Sequence, residues 1–566
     1  MRKILLTLLL TVAMTAGAVP ALRVWRTITQ PDGTQMKVML VGDEHFHYYI
    51  DENNNTFSLD SKGYLKKIDA AELKLKRQNT FKRIKSVNKA RQQEFNPLSG
   101  KRKTLVILVN FKDKKFSDDL NNGNPKATFN DICNKVGYTN QWGAIGSVHD
   151  YFLDQSYNNF DLNFDVVGPV TVSKGYAYYG ANSSDEGIDV NAAEMVKEAV
   201  KLVKDSVNFA DYDWDGDNEA EQVICIYAGQ GEATGGSSNT IWPHQYHLSY
   251  TGNSVTINGI TIDSYLVLNE LVKATIKRYT AGGIPREYDV TYLGGMGTLC
   301  HEFSHSLGLM DHYDTRENGG NYGMGSWDLM DYGSYGGPDN DGWVPTALTA
   351  YERMYLGWLT PTELYHYRDS IKNMPYIQDA PSAYIIYNNN HSNEYFMLEN
   401  KSQSRWDSYL PEGGLLVTHV DYNEDAWDYN TVNAGSTQLM TVVPADNDYT
   451  RTSSCRQRLY QVGMTFPLGS VGELNSDYFV LHNAAKDGTY ALKCKVQGIT
   501  KNDDGTINFG YVPDPRYEVA TGLNRVSVSG AAAEGKVSQT YNLSGQRVDS
   551  SYHGIVIKDG KKYYQK

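Results

Sequence analysis

The 566-residue sequence holds only five cysteines, Cys133, Cys225, Cys300, Cys455 and Cys494, and no CxxC pair. That spacing excludes a cysteine zinc knuckle and a thioredoxin-like redox site. Cys455 and Cys494 could pair in an exported chain, and the odd count leaves at least one thiol free. Cys300 reads as a small buried hydrophobe. Proline is sparse, 17 residues against 51 Gly and 42 Tyr, a mix that suits β-rich, loop-rich extracellular proteins. Positive charge is in deficit: 53 Lys and Arg against 66 Asp and Glu leave a net charge of −13, which argues against a nucleic-acid partner. No internal repeat and no low-complexity tract is evident. With 40% hydrophobic and 21% charged residues, the chain has enough apolar content to fold around several cores.

Long apolar runs are also absent, apart from one at the N-terminus. Arg2 and Lys3 precede an apolar stretch from Ile4 to Met14, and Ala16, Gly17 and Ala18 follow as a small-residue cleavage site. The run falls short of the ~20 residues needed to span a bilayer. Residues 1–21 are therefore expected to be a signal peptide, leaving no transmembrane segment and a secreted or cell-surface protein.

Residues 22–73 read as short strands joined by turns at Asp32-Gly33 and Ser61-Lys62-Gly63. Lys74 to Lys103 then carries eleven basic residues and one acidic residue, Glu94, for a net +10 against −23 over the rest of the chain. We read 22–103 as a propeptide whose basic junction is held to an acidic partner domain and exposed to processing. At Thr104 a continuous apolar run, TLVILVNF, opens an α/β unit: helical 147–160, strand-like LNFDVVGPVTV, helical 188–205, a strand at 221–229, and a helix at 297–309 that ends at a Gly. After Trp358 strand-like runs recur, DYFVLHN among them, and predict an all-β domain over 361–513, followed by a C-terminal tail over 514–566.

The chemistry concentrates in HEFSHSLGLMD. His301 and His305, four residues apart on a helix, face the same way and can hold one metal ion. Glu302 beside them can act as general base. Gly308 lets the chain turn so that Asp311 returns as third ligand, with His312 as a rival. Two imidazoles and a carboxylate leave a fourth position open, the catalytic rather than the structural arrangement for zinc. In GSWDLMDYGS, Met330 lies 25 residues after His305, where metzincins carry a Met-containing turn; Met324 is a weaker candidate for that turn. Tyr332 completes an M-x-Y arrangement that resembles astacins and serralysins, where the Tyr approaches the metal or stabilises the oxyanion; ordinary aromatic packing explains Tyr332 as well.

A second cluster, YDWDGDNEAE, places Asp213, Asp215 and Asp217 around Gly216, with Glu221 beyond, and suits calcium. It is not an EF-hand loop, because Gly216 stands at the fourth place and Ile224 at the twelfth.

HEFSHSLGLMDHYDT with WDLMDYGS and MYLGWL, together with SVHDYFLDQSY, the DWDGD segment, IWPH and the leading TQPDGT…GDEHFHYY, resembles the immune inhibitor A-type secreted bacterial metallopeptidases. The resemblance covers most of residues 22–513. It implies an α/β zincin (metzincin-like) catalytic domain over 104–360, an N-terminal propeptide and a C-terminal all-β domain. It also implies a zymogen, protein substrates and zinc. In relatives the mature N-terminal segment can occupy the cleft. His419, in the segment that resembles the β domain of such proteins, reads as structural. The last residues resemble a C-terminal export tail. The alternative reading is a surface-exposed protein- or glycan-binding protein on a zincin scaffold, against which an intact Glu302 counts; a third is a zinc hydrolase of non-peptide bonds.

Overall fold

A computed structural model describes residues 19–22, 25–43, 47–53, 55–60, 62–69, 72, 98–183, 189–279, 285–315, 321–449, 462–483, 490–516, 518, 540–542, 547–549, 552, 554–558 and 561–565. The signal-peptide core, most of the basic junction and Cys455 lie outside the described residues. Among the described residues, no helix is long and apolar enough to cross a membrane.

The N-terminal segment is a five-stranded antiparallel meander, Trp25–Thr29, Gln35–Gly42, His47–Ile50, Thr56–Leu59 and Leu65–Ile68, each strand pairing with the next. Its first turn is the one expected at Asp32-Gly33: Gly33 has φ +85°, and Asp32 Oδ1 accepts the Thr34 N–H.

The central unit is built on a mixed sheet ordered His244–His247, Ser264–Tyr279, Val223–Gln230, Gly100–Asn110, Phe160–Thr171, with Pro285–Leu293 pairing the far half of Ser264–Tyr279. The pairings from Ser264–Tyr279 through Val223–Gln230 and Gly100–Asn110 to Phe160–Thr171 are parallel. The strand predicted to begin at Thr104 begins at Gly100, inside the basic junction. Its residues alternate between two cores. Val106 and Leu108 join Ile224, Ile226, Leu266 and Leu268 under the helices Pro125–Asn134, Val148–Gln155 and Gly297–Ser306. Leu105, Ile107 and Val109 join Val223, Cys225 and Val267 under the helix Ala192–Val203. The sheet is thus covered on both faces, which explains its unbroken apolar runs. Burial of each such aliphatic side chain contributes about 1.5–3 kcal/mol. Helix Val148–Gln155 starts at a capping box formed by Ser147 and Asp150.

The C-terminal part contains a five-stranded sheet (Thr362–Glu363, Tyr384–Tyr387, Glu394–Lys401, Gly414–Asp421, Met440–Val442) and a four-stranded one (Asp369–Met374, Ile507–Val512, Lys495–Lys501, Glu473–Leu474). Phe396, Leu398, Leu415 and Val417 pack against Ile371, Val496, Ile507 and Phe509 of the second sheet. On the opposite face Tyr395, Met397, Leu416 and Val420 share a core with Met310, Trp327, Tyr351 and Met354 of the central unit. The first sheet is therefore buried on both sides, and a common core crosses the boundary expected near residue 360. The run DYFVLHN, expected as a strand, is not one: Tyr478 and Val480 are buried, but the N–H groups of Leu481 and His482 go to the Glu394 carboxylate rather than to a ladder. The tail forms a small sheet of Thr540–Asn542, Arg547–Val548, Gly554–Lys558 and Lys561–Gln565.

Candidate metal centre

The helix Gly297–Ser306 carries His301, Glu302 and His305, all but His305 fully buried. It packs closely on the short helix Tyr332–Tyr335: a Cβ at Gly297 would collide with the Ser334 carbonyl. The helix ends as the sequence predicts, at Gly308 with φ +97°, where only a glycine is unstrained. The chain then reverses and brings Asp311 back over the helix.

His301 Nε2, His305 Nε2 and Asp311 Oδ1 form a triangle with sides of 3.1, 3.2 and 3.3 Å. Each imidazole uses its other nitrogen on a main-chain carbonyl: His301 Nδ1 lies 2.8 Å from Leu329 O, and His305 Nδ1 lies 2.8 Å from Leu309 O. Those carbonyls can only accept, so Nδ1 carries the proton in each ring. Both neutral Nε2 atoms then present lone pairs, and so does the carboxylate. Three lone pairs converging without a proton between them repel unless a cation sits among them. The side lengths match the ~3.3 Å edge of a tetrahedral site with ligand bonds of about 2.0–2.1 Å. The donor set therefore fits a borderline divalent ion such as zinc.

Asp311 is itself clamped. The Asn430 side chain accepts from Asp311 N at 2.7 Å and donates through Nδ2 to Asp311 Oδ2 at 2.5 Å. Asn433 Nδ2 donates to His312 O at 2.6 Å and to Met440 O at 2.7 Å. Both asparagines come from the C-terminal part, more than a hundred residues away, and no local pattern marks them.

His312 faces the other way. Its Nδ1 lies 3.0 Å from both carboxylate oxygens of Asp328, beside Glu352. Burial pushes His312 down to about 4, Asp328 up to about 7 and Glu352 up to about 8. The ambiguity over the third donor thus has a geometric answer: Asp311 joins the two histidines and His312 does not.

Met330 lies in the turn below the helix, fully buried in the same core as Cys300 and Phe303. Its N–H donates to Asp328 Oδ1 and its carbonyl accepts from His312 N at 2.8 Å. Leu329, just before it, supplies the carbonyl that orients His301. Tyr332 is buried in one apolar cluster with Tyr335, Trp242 and Val19. Cys300 is buried, and burial pushes its thiol well up, in keeping with a packing role.

The segment Val19–Leu22 runs through this site. Val19 N–H donates to Glu302 Oε1 at 2.7 Å. Trp242 Nε1 donates to Val19 O, Tyr335 Oη to Pro20 O, and Leu22 N to Ala233 O.

In the second predicted cluster, Asp213, Asp215 and Glu221 converge, while Asp217 does not join them; its Oδ1 accepts the Glu219 N–H instead. Glu221 accepts the Trp214 N–H and is pushed up to about 8 by burial. His419 Nε2 lies 2.7 Å from Glu394 Oε1. Cys494 is a buried free thiol.

Residues 92–359 match the family described as immune inhibitor A peptidase M6, catalytic domain. The chain is 27% identical over 284 residues to the pre-pro-metalloprotease PrtV of Vibrio cholerae serotype O1, a match covering 45% of this chain and 29% of that protein. It is 25% identical over 301 residues to immune inhibitor A of Bacillus thuringiensis subsp. alesti, covering 47% of this chain and 41% of that protein. The chain thus spans well under half the length of these curated relatives. Over residues 92–359 the chain is thus similar to the catalytic domain of the immune inhibitor A peptidases.

Proposed function

We propose that the protein is a secreted or cell-surface zinc metalloendopeptidase, made as a zymogen and acting on protein substrates. One observation carries the reading: His301 Nε2, His305 Nε2 and Asp311 Oδ1 converge within 3.3 Å of one another beside the buried carboxylate of Glu302. The family match and the metalloprotease relatives support the same class. When bound, zinc supplies Lewis-acid polarisation of the scissile carbonyl and makes water acidic enough to ionise near neutral pH. The chain supplies the rest. Leu329 O and Leu309 O fix both histidine tautomers so that Nε2 faces the ion. Glu302 takes the proton of the attacking water and passes it to the departing amine. Tyr332 is proposed to steady the developing oxyanion, and Met330 to floor the site.

Latency follows from the contact between Val19 and Glu302. Cleavage after Ala18, three residues before the boundary at 21 read from the sequence, would leave Val19 in the propeptide and turn its N–H into an α-ammonium that pairs with the base. While Val19–Leu22 stays in place, substrate and general base cannot meet. Calcium bound by Asp213, Asp215 and Glu221 would relieve the repulsion among their carboxylates. The C-terminal strands are proposed to serve export.

The test is casein hydrolysis by a form cut before Gly100, assayed with zinc and after chelation, alongside Asp311→Ala and His312→Ala with zinc counted. Activity that needs zinc, and zinc lost with Asp311→Ala but kept with His312→Ala, is the expected result. Chelator-resistant hydrolysis would sink the proposal.

A further inference from the structure

A second group of nitrogen and oxygen donors lies in the C-terminal part, outside the peptidase site. His391 Nε2 is 3.4 Å from Asp421 Oδ1, and His482 Nε2 is 2.8 Å from Asp421 Oδ2. The two imidazoles lie against each other, with ring centroids 3.9 Å apart and planes tilted by 33°. One donor atom from each of the three residues falls within 4.8 Å of the others. Asp421 is buried, while the two histidines are 38% and 39% exposed at the side chain.

The three residues come from three separate stretches: the loop between strands Tyr384–Tyr387 and Glu394–Lys401, the end of strand Gly414–Asp421, and the segment after Val480. Glu394 sits opposite Asp421 in the sheet register and holds both flanking stretches. Its carboxylate accepts from Asn388 Nδ2 at 2.6 Å, from Leu481 N at 2.7 Å and from His482 N at 3.0 Å. On the other side Asn390 Nδ2 donates to Asn483 Oδ1 at 2.9 Å. The backbone on both sides of the cluster is thus fixed, and the two histidines are delivered to one carboxylate by a built frame.

Hydrogen bonding alone accounts poorly for the arrangement. A partly exposed His–Asp pair contributes little, giving scant reason to hold a second imidazole against the first at some cost in rotamer freedom. A divalent ion resolves it. Two imidazole nitrogens and a carboxylate whose ligand atoms lie within 4.8 Å of one another suit zinc or a similar borderline metal. Calcium, which takes oxygen ligands, does not suit the set.

We propose that His391, Asp421 and His482 form a second zinc site, a surface staple that ties two loops to the end of a sheet strand. Its remaining coordination positions face solvent. Because the stretches it joins are far apart in sequence, the ion closes a long loop and stabilises the C-terminal part rather than taking part in peptide hydrolysis.

The test counts zinc in the full-length chain by mass spectrometry after chelator stripping and dialysis against zinc. In a His301→Ala/His305→Ala background, about one zinc per chain is expected to remain. Adding His391→Ala with His482→Ala, or adding Asp421→Asn, should bring that to near zero. Cobalt(II) gives a second reading: the visible absorption of the loaded background variant should vanish in the same triple and quadruple variants. Circular dichroism checks that they fold; both histidines are surface residues. A background variant that retains no zinc overturns the proposal, as does zinc content unchanged by the added substitutions. If only His301 and His305 substitutions remove zinc from the wild type, the staple fails and the peptidase reading stands. If only His391 and His482 substitutions do so, the staple stands and the peptidase centre fails.

Discussion

Asn430 offers a demanding test of how the metal centre is held. Its side chain holds Asp311 at two points, accepting the main-chain N–H and donating to the carboxylate. Asn430 itself has φ +49°, a left-handed conformation. Replacing it with Ala would add backbone strain of about 1–2 kcal/mol to the loss of the side chain. Asn430→Gly removes the side chain without that strain. The expected cost is then the buried Asp311 N–H left without its acceptor, about 1–3 kcal/mol, plus a carboxylate free to swing from the triangle. Loss of such outer partners costs about 10–100-fold in metal affinity. A zinc titration against a competing chelator should show that weakening, and hydrolysis should recover largely when zinc is in excess. Zinc affinity within about twofold of the wild type would refute the claim that Asn430 positions Asp311.

Further outcomes follow from the same geometry. Cutting the chain before Gly100 and releasing the N-terminal meander should raise casein hydrolysis by at least about tenfold, because Glu302 is otherwise engaged by Val19; equal activity of cut and uncut forms would contradict latency. At the Asp213, Asp215 and Glu221 cluster, burial raises Glu221 to about 8. The folded state therefore binds the extra proton, so in calcium-free buffer its contribution to stability falls as pH rises from the ordinary carboxylate range, ~4.3, through about 8. Calcium should flatten that slope and raise Tm in wild type but not in Glu221→Gln, read by thermal melts across the window. A slope unaffected by calcium would remove the ion from this loop.

Much of the centre was legible from local spacing. The i, i+4 histidines and the glycine that ends their helix are consequences of helix geometry, and the alternating cores of Gly100–Asn110 follow from its apolar run. What local pattern could not decide was set at long range. Asp311 and His312 are adjacent, and only Asn430 on one side and Asp328 on the other sort them. Asp217 looks like a ligand by its alternation with Asp213 and Asp215, but only those two converge with Glu221. DYFVLHN has the composition of a strand, yet Glu394 takes two of its N–H groups. The domain boundary near residue 360 reads cleanly as a change of pattern, while the core there is continuous, because Tyr351 and Met354 pack on Tyr395 and Met397.

The central claim is that Glu302 is the proton carrier of a zinc peptidase. Its most direct test is casein hydrolysis by the form cut before Gly100, wild type beside Glu302→Ala, with zinc counted in both. Equal zinc and a fall of about 10²–10⁴-fold in hydrolysis are expected. Most of the activity surviving in Glu302→Ala, with zinc bound, would contradict the claim.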